Sequence, residues 1–271
     1  MEPPSFDLAA YLARIGLAEA PPDAEGLRAI QQAHLRAIPF ENFDPLLGRV
    51  PAVGLADVVS KIVHGGRGGY CFEQNTLFEA ALRAVGFATR RRLARVRMRF
   101  GPEASRSHLV LLAETEGRSF LADAGFGGPG SLVPFELRTG IEQQAPNGTY
   151  RLVEDAARGE MVLERRDGDG WVQLYAFDDA RVSDGEIASA NYFCATWGDV
   201  PFGSHLVLGC YRGDTRYGLF DRLLTIETPQ GAERRELADL DEFTAFVRGE
   251  AGLRLDDGEL ARSWERIAAP A

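Results

Sequence analysis

Arg67-Gly68-Gly69-Tyr70-Cys71-Phe72-Glu73-Gln74-Asn75 sets a cysteine behind a two-glycine turn and at the head of a helical pattern. Phe78, Ala81, Leu82 and Val85 follow the i, i+3, i+4, i+7 rule and Gly86 fits a C-terminal stop, so the spacing predicts a helix over residues 70–85. Unpaired N–H groups and the positive end of a helix dipole favour thiolate, so this position is expected to lower the Cys71 pKa from a reference of about 8.5. A lone cysteine is otherwise a small buried hydrophobe, and a base is needed to make it a nucleophile.

Upstream, Leu8, Leu12 and Ile15, then Leu27, Ile30, His34 and Leu35, recur at three and four, so the first third reads as a helical bundle. From Ala88 to about Leu174 the period changes to two and predicts a sheet or barrel: Val96, Met98 and Phe100 alternate with Arg95, Arg97 and Arg99, and residues 108–112 and 161–163 also read as strands. The ridge Arg90, Arg91, Arg92, Arg95, Arg97 and Arg99 reads as a solvated strand face. The last third mixes short strands, over residues 207–211 and 223–226, with a helix over residues 239–247 capped by Asp239 or Asp241.

A base for Cys71 is available in His108, which opens the apolar run Leu109-Val110-Leu111-Leu112 and needs a polar partner there. The chain turns near Glu114-Thr115-Glu116-Gly117 and returns as Ser119-Phe120-Leu121-Ala122-Asp123. A hairpin centred between Thr115 and Glu116 sets His108 directly opposite Asp123, close enough for the carboxylate to take an imidazole N–H. Nucleophile, base and orienter are then Cys71, His108 and Asp123; the plain alternative is a buried ion pair in a core. The glycines of Ala124-Gly125-Phe126-Gly127-Gly128-Pro129-Gly130 allow backbone to approach a ligand, with Phe126 as a wall for a flat substrate.

Composition removes several classes. Forty Asp and Glu against 30 Lys and Arg give a formal charge of −10, the wrong sign for a phosphate-backbone binder, so no nucleic-acid partner is expected. Among the basic residues Lys61 is the only lysine. Cys71, Cys194 and Cys210, an odd set without CxxC, make neither a disulfide framework nor a zinc site, and His34, His64 and His205 lack ligand spacing, so no metal is expected. Residues 1–20 carry Glu2 and Asp7 without a basic start and apolar core, and no apolar run reaches the roughly 18 residues of a membrane span. A cytoplasmic protein without a membrane partner is the expectation.

Four segments together resemble the arylamine N-acetyltransferase family: His34-Leu35-Arg36-Ala37-Ile38-Pro39-Phe40-Glu41-Asn42, the Cys71 stretch above, Ser107-His108-Leu109, and Asp123-Ala124-Gly125-Phe126-Gly127. They stand in the family's order and spacing, densely over about residues 30 to 130. Farther on, Asn191-Tyr192-Phe193 with Thr196 and Pro201-Phe202 is similar to the family's pocket-lining segment.

The resemblance implies an α+β fold with a cysteine-protease-like core: a helical bundle over residues 1–87, a β-barrel over 88–195 and an α/β lid over 196–271. It implies acetyl transfer from acetyl-CoA, a co-substrate and not a resident cofactor, through a Cys71 thioester to an aromatic amine or hydrazine. Carried over by position, Val96, Phe126 and Phe202 would wall the acceptor pocket. Ala104, Ser105, Ser107 and Gly127 would lie on the CoA approach. Cys194 and Cys210 receive no role, and Trp197-Gly198-Asp199-Val200 departs from the family's wording. A Cys-His-Asp amidase or peptidase, an amide synthase of the same family acting on a polyketide thioester, and an inactive binding module are the competing readings.

Overall fold

Asp7 accepts the Ala10 amide at 2.9 Å and opens the helix Leu8–Ile15, which Gly16 closes at φ 70°. The computed structural model describes residues 6–228 and 230–268, so residues 1–5 of the expected leader-free stretch, Glu2 among them, lie outside it. Asp23 caps the helix Ala24–Ala37 through the Gly26 amide at 2.8 Å. Ile38 leaves it in an extended conformation, as a residue before proline must, and the chain enters β1 (Phe40–Glu41). The helix Cys71–Val85 ends at Gly86 with φ 118°, as its pattern predicts, and packs Leu77, Phe78, Ala81 and Leu82 against Tyr11, Leu27 and Ile30.

The middle of the chain forms one antiparallel sheet. Its strands are β2 (Ala88–Val96), β3 (Arg106–Thr115), β4 (Arg118–Ala122), β5 (Phe135–Glu136), β6 (Glu142–Ala145), β7 (Gly148–Asp155), β8 (Glu160–Asp167) and β9 (Gly170–Phe177), ordered β5-β4-β3-β2-β9-β8-β7-β6. The sheet curls into a nearly closed barrel. Its two edges meet through side chains: Gln143 on β6 donates to the Glu136 carbonyl at 2.9 Å and accepts the Glu136 amide at 3.0 Å, and the Phe135 and Tyr150 rings lie 5.1 Å apart. An amide side chain thus replaces the missing backbone ladder at the seam.

The arginine ridge departs from its expected form. β2 stops at Val96, and Arg97–Phe100 is a helical turn closed by Gly101 at φ 72°, not a continuing strand. The cause is Arg97, whose guanidinium turns inward to Asp155 at 2.8 Å and Glu160 at 2.7 Å. Arg92 is also buried, against Asp179, so neither residue belongs to a solvated face. A buried guanidinium with two carboxylates overrides the alternation that the sequence shows.

β10 (Val207–Arg212), β11 (Thr215–Phe220), β12 (Leu223–Thr228) and β13 (Gly231–Glu236) form a second sheet, and β1 pairs with β10 through Phe40↔Gly209 and Glu41↔Leu208. The helix Leu240–Ala245, capped by Asp239 through the Glu242 amide, packs on it. β1 comes from the first third of the chain and bridges to Gly69, so this sheet is fastened to the turn that leads into the helix Cys71–Val85. Lys61 completes the fastening: its ammonium lies 2.6 Å from Asp44 and 2.7 Å from Glu73, while Arg67 takes Glu41 at 2.8 Å. Lys61→Met would leave Glu73 buried without its cation, although Asp44 keeps Arg49 at 2.8 Å, so we expect a loss of about 3 kcal/mol, read as a lower denaturant midpoint. An unchanged midpoint would show that the cluster is worth nothing to the fold.

Candidate active site

Cys71 is the first residue of its helix, where Tyr70 enters extended and the Glu73 carboxylate takes the Tyr70 amide at 3.2 Å. The loop after Asp123 lies against it, and a Cβ at Gly125 would meet the Cys71 Cα at 2.8 Å, so only glycine fits there. His108 sits on β3 and Asp123 just past β4, and His108 Nε2 reaches Asp123 Oδ2 at 2.8 Å.

The hairpin that joins them is not in the expected register. Leu111 pairs with Ala122 and Thr115 with Arg118, so the turn is Glu116-Gly117, one residue later, and His108 and Asp123 are diagonal rather than directly opposed. Glu116 and Gly117 have φ of 52° and 69°, the sign a tight hairpin turn needs at both central positions, and Gly117 supplies one without strain. Facing survives because the slip is even: a two-residue change of register returns every side chain to the same side of the sheet.

The thiol also departs from expectation. Burial pushes Cys71 up, and the hydrogen bond and charge of His108 pull it back without restoring an ordinary value. The helix terminus alone therefore does not make this sulfur a thiolate; the imidazolium must. Burial works against a charge on His108 too, yet the charge and hydrogen bond of Asp123, aided by Cys71, hold it up at about 10. Burial raises Asp123, and His108, Asn75 and the Gly125 amide more than offset it, so its carboxyl stays below the usual range. With Nε2 committed to Asp123, Nδ1 is the ring nitrogen left for sulfur.

Three supporting residues and one neighbouring thiol were not found by reading the sequence. Asn75, one helical turn after Cys71, donates to Asp123 Oδ1 at 2.9 Å and to the Leu109 carbonyl at 2.6 Å, and accepts the Ala124 amide at 3.0 Å. Gln31 accepts the Asp123 amide at 3.1 Å. The buried Tyr175 ring lies 5.0 Å from the His108 ring and 5.2 Å from that of Phe126, and so packs against the base. Cys194 shares the Ser107 carbonyl with Cys71. The i+4 spacing from Cys71 could have singled out Asn75; nothing local marks the other three.

Cys71 and His108 lie at the floor of a cleft of about 180 Å³. Val96, Phe126, Phe202, Ser107 and Gly127 line it, joined by Phe40, Met98, Phe100 and Val200. Ala104 and Ser105 do not line it; the Ala104 carbonyl is taken by Arg95 at 2.5 Å. Among the described residues no cluster of three His, Cys, Asp or Glu is placed to hold a metal, and no helix is long and apolar enough to cross a membrane.

A thiol at a helix head, an imidazole on a neighbouring strand and a carboxylate behind it, in an α+β fold, define a protein with a cysteine-protease-like core. The family model described as N-acetyltransferase matches residues 23–260. The arylamine N-acetyltransferase of Escherichia coli K12 is 34% identical over 95% of this chain and 92% of its own, and that of Mycobacterium tuberculosis H37Rv 35% identical over 93% and 91%. Among solved structures, the Salmonella typhimurium arylamine N-acetyltransferase superposes with a TM-score of 0.90 at 32% identity, covering 95% of this chain and 97% of that one. The Mycobacterium marinum enzyme in complex with CoA does so with 0.90 at 31%, covering 96% and 99%. This chain belongs to the arylamine N-acetyltransferase family.

The raised His108 fixes a pH dependence. A ring held above its ordinary value of about 6.5 contributes stability in full below that value and loses it as pH rises through about 10. The stability gap between the protein and His108→Gln should therefore be widest near pH 6 and narrow toward pH 10, by roughly the linkage of one titrating group. Thermal denaturation of both across that range checks it; a gap independent of pH would mean a neutral ring in the folded state.

Proposed function

We propose that this enzyme moves an acetyl group from acetyl-CoA to the nitrogen of an arylamine or arylhydrazine, in two steps through a thioester on Cys71. The observation that carries the reading is His108 hydrogen-bonded to Asp123 and lining the same apolar cleft as Cys71, within an N-acetyltransferase family. In the first step the Cys71 sulfur attacks the thioester carbonyl, its S–C bond forms, and CoA leaves with a proton from His108. In the second the amine nitrogen attacks the acetyl carbon, His108 takes the nitrogen's proton, and the Cys71 sulfur leaves. Asp123 keeps the ring oriented in both steps and stabilises its protonated form before CoA leaves and after the amine attacks, and backbone N–H groups at the helix head are assigned to the oxyanion.

Val96, Phe126 and Phe202 are assigned to the aromatic acceptor, an apolar flat molecule matching their walls. Ser107 and Gly127 are assigned to the pantetheine approach, with Ala104 and Ser105 on the loop outside the cleft. The M. marinum neighbour's CoA complex supports a CoA thioester as donor. The chemistry so written needs no resident cofactor, and a reducing cytoplasmic compartment, which keeps all three thiols free, suits it.

Mixing the protein with acetyl-CoA should add one acetyl group, about 42 Da, at Cys71, and an aromatic hydrazine should remove it and yield the acetyl hydrazide. No adduct, or an adduct that the hydrazine leaves in place, would overturn the reading. Cys71→Ala and His108→Gln should abolish transfer, whereas Asp123→Asn should stay folded and lose on the order of 10³-fold or more, because the ring loses its orienting acceptor. Full activity in any of the three would contradict the assigned role.

A further inference from the structure

Cys194 is a buried nucleophile beside the site that acetyl transfer does not use. Tyr70 donates its hydroxyl to Asn191, to the carbonyl at 3.2 Å and to the side-chain oxygen, which fixes the helix Asp184–Thr196 across the head of the nucleophile helix. Cys71 follows Tyr70 directly, and Cys194 lies three residues after Asn191 on the same helix face, so this one clamp sets both sulfurs against one carbonyl. Between them stands Ser107. The β2–β3 register passes from Ala94↔His108 to Arg95↔Arg106, which leaves Ser107 as the extra residue of a bulge, and its carbonyl accepts from Cys71 at 3.7 Å and from Cys194 at 3.4 Å. Cys71 opens onto the cleft, whereas Cys194 is closed off behind it. Cys210 is remote, against the Glu250 carbonyl in the core of the second sheet.

We propose that Cys194 is a resolving thiol: when a hydroperoxide enters the cleft, Cys71 and Cys194 close a disulfide that shields the nucleophile from irreversible oxidation. The proposal rests on the same reactive Cys71 as the acetyl-transfer reading. The Cys71 thiolate attacks one peroxide oxygen, the O–O bond breaks, and the other oxygen leaves as water or alcohol with the His108 proton, giving a sulfenic acid. The Cys194 sulfur then attacks the Cys71 sulfur, the S–O bond breaks, and hydroxide leaves with the Cys194 proton as water. Two thiols lose two electrons and the peroxide gains them. Burial holds Cys194 up at about 12, so it stays a thiol and leaves the first attack to Cys71.

Intact full-length protein treated with a small excess of hydrogen peroxide tests this. Under denaturing, non-reducing conditions it should become about 2 Da lighter, keep one alkylatable thiol, Cys210, and give a cross-linked peptide joining Cys71 to Cys194. Dithiothreitol should restore the mass, the thiols and acetyl transfer. Cys194→Ala should acetylate Cys71 normally yet accumulate sulfinic and sulfonic acid at Cys71, with recovery after dithiothreitol lowered about tenfold or more. Peroxide that adds oxygen to wild-type Cys71 while Cys194 remains alkylatable would overturn the proposal, as would a link through Cys210. If Cys194→Ala does not fold, the wild-type peptide map alone decides. The mass readout is independent of acetyl transfer, so an enzyme that closes the disulfide without accepting acetyl-CoA would sink only the acetyl-transfer reading.

Discussion

A carboxylate closed off from water must be satisfied on all sides or it protonates, and the whole site is arranged around meeting that demand at Asp123. Asn75 and the Gly125 amide each reach Oδ1 at 2.9 Å, and His108 takes Oδ2 at 2.8 Å. Each partner belongs to a different piece of chain: the nucleophile helix, the glycine loop and β3. One buried negative charge therefore ties the bundle to the barrel at the point where the sulfur sits. It also fixes the sign of everything nearby, since the same charge keeps His108 protonated against the pull of its own burial.

Why the two longest family-like segments, residues 34–42 and 67–75, go together is also a matter of hydrogen bonds. His34 accepts from the Tyr11 hydroxyl at 2.8 Å and donates to Gln74 at 2.7 Å, and burial holds it neutral, down at about 4. Gln74 passes the connection on to the Pro39 carbonyl at 2.8 Å and the Gly69 carbonyl at 3.2 Å. Gly68 lies so close to the Pro39 carbonyl that a Cβ would fall 2.2 Å from its oxygen. The first segment is thus the bed on which the two-glycine turn lies, and the turn sets where the Cys71 helix begins.

Local periodicity made the helices Leu8–Ile15, Ala24–Ala37 and Cys71–Val85 legible, because capping residues and the glycines at 16 and 86 stand where the apolar stripe ends, whereas the helices Asp184–Thr196 and Asp257–Ala268 went unread. His108 and Asp123 were legible as a pair because side-chain facing depends only on the parity of the register, so the misplaced turn did no harm. The Arg97 turn was not legible: its cause lies in Asp155 and Glu160, far along the chain, and an alternating stretch carries no mark of them. Tyr175, Gln31 and Cys194 were hidden for the same reason, since each reaches the site from an element whose own pattern is that of ordinary core. What reading in one dimension recovers is spacing within an element and facing across a hairpin; the contacts among distant elements need the fold.

Burial appears at first to work against the chemistry, because it raises the thiol that must ionise. The cost is met by exchange and not by solvent: a proton that leaves sulfur passes to an imidazole that Asp123 has made a strong base, so charge separates over a short distance where water would otherwise screen it. The same dryness then serves the thioester. Phe126 lies edge-on to His108 at 5.2 Å and also walls the cleft with Val96 and Phe202, so the ring that shields the base also leaves little room for water beside the acetyl carbon. On the proposed mechanism a hydrolase and a transferase differ in which nucleophile reaches that carbon first. On the same proposal, apolar walls admit a flat amine and disfavour water, so the preference for transfer is assigned to the cleft, while the triad supplies reactivity that either outcome could use.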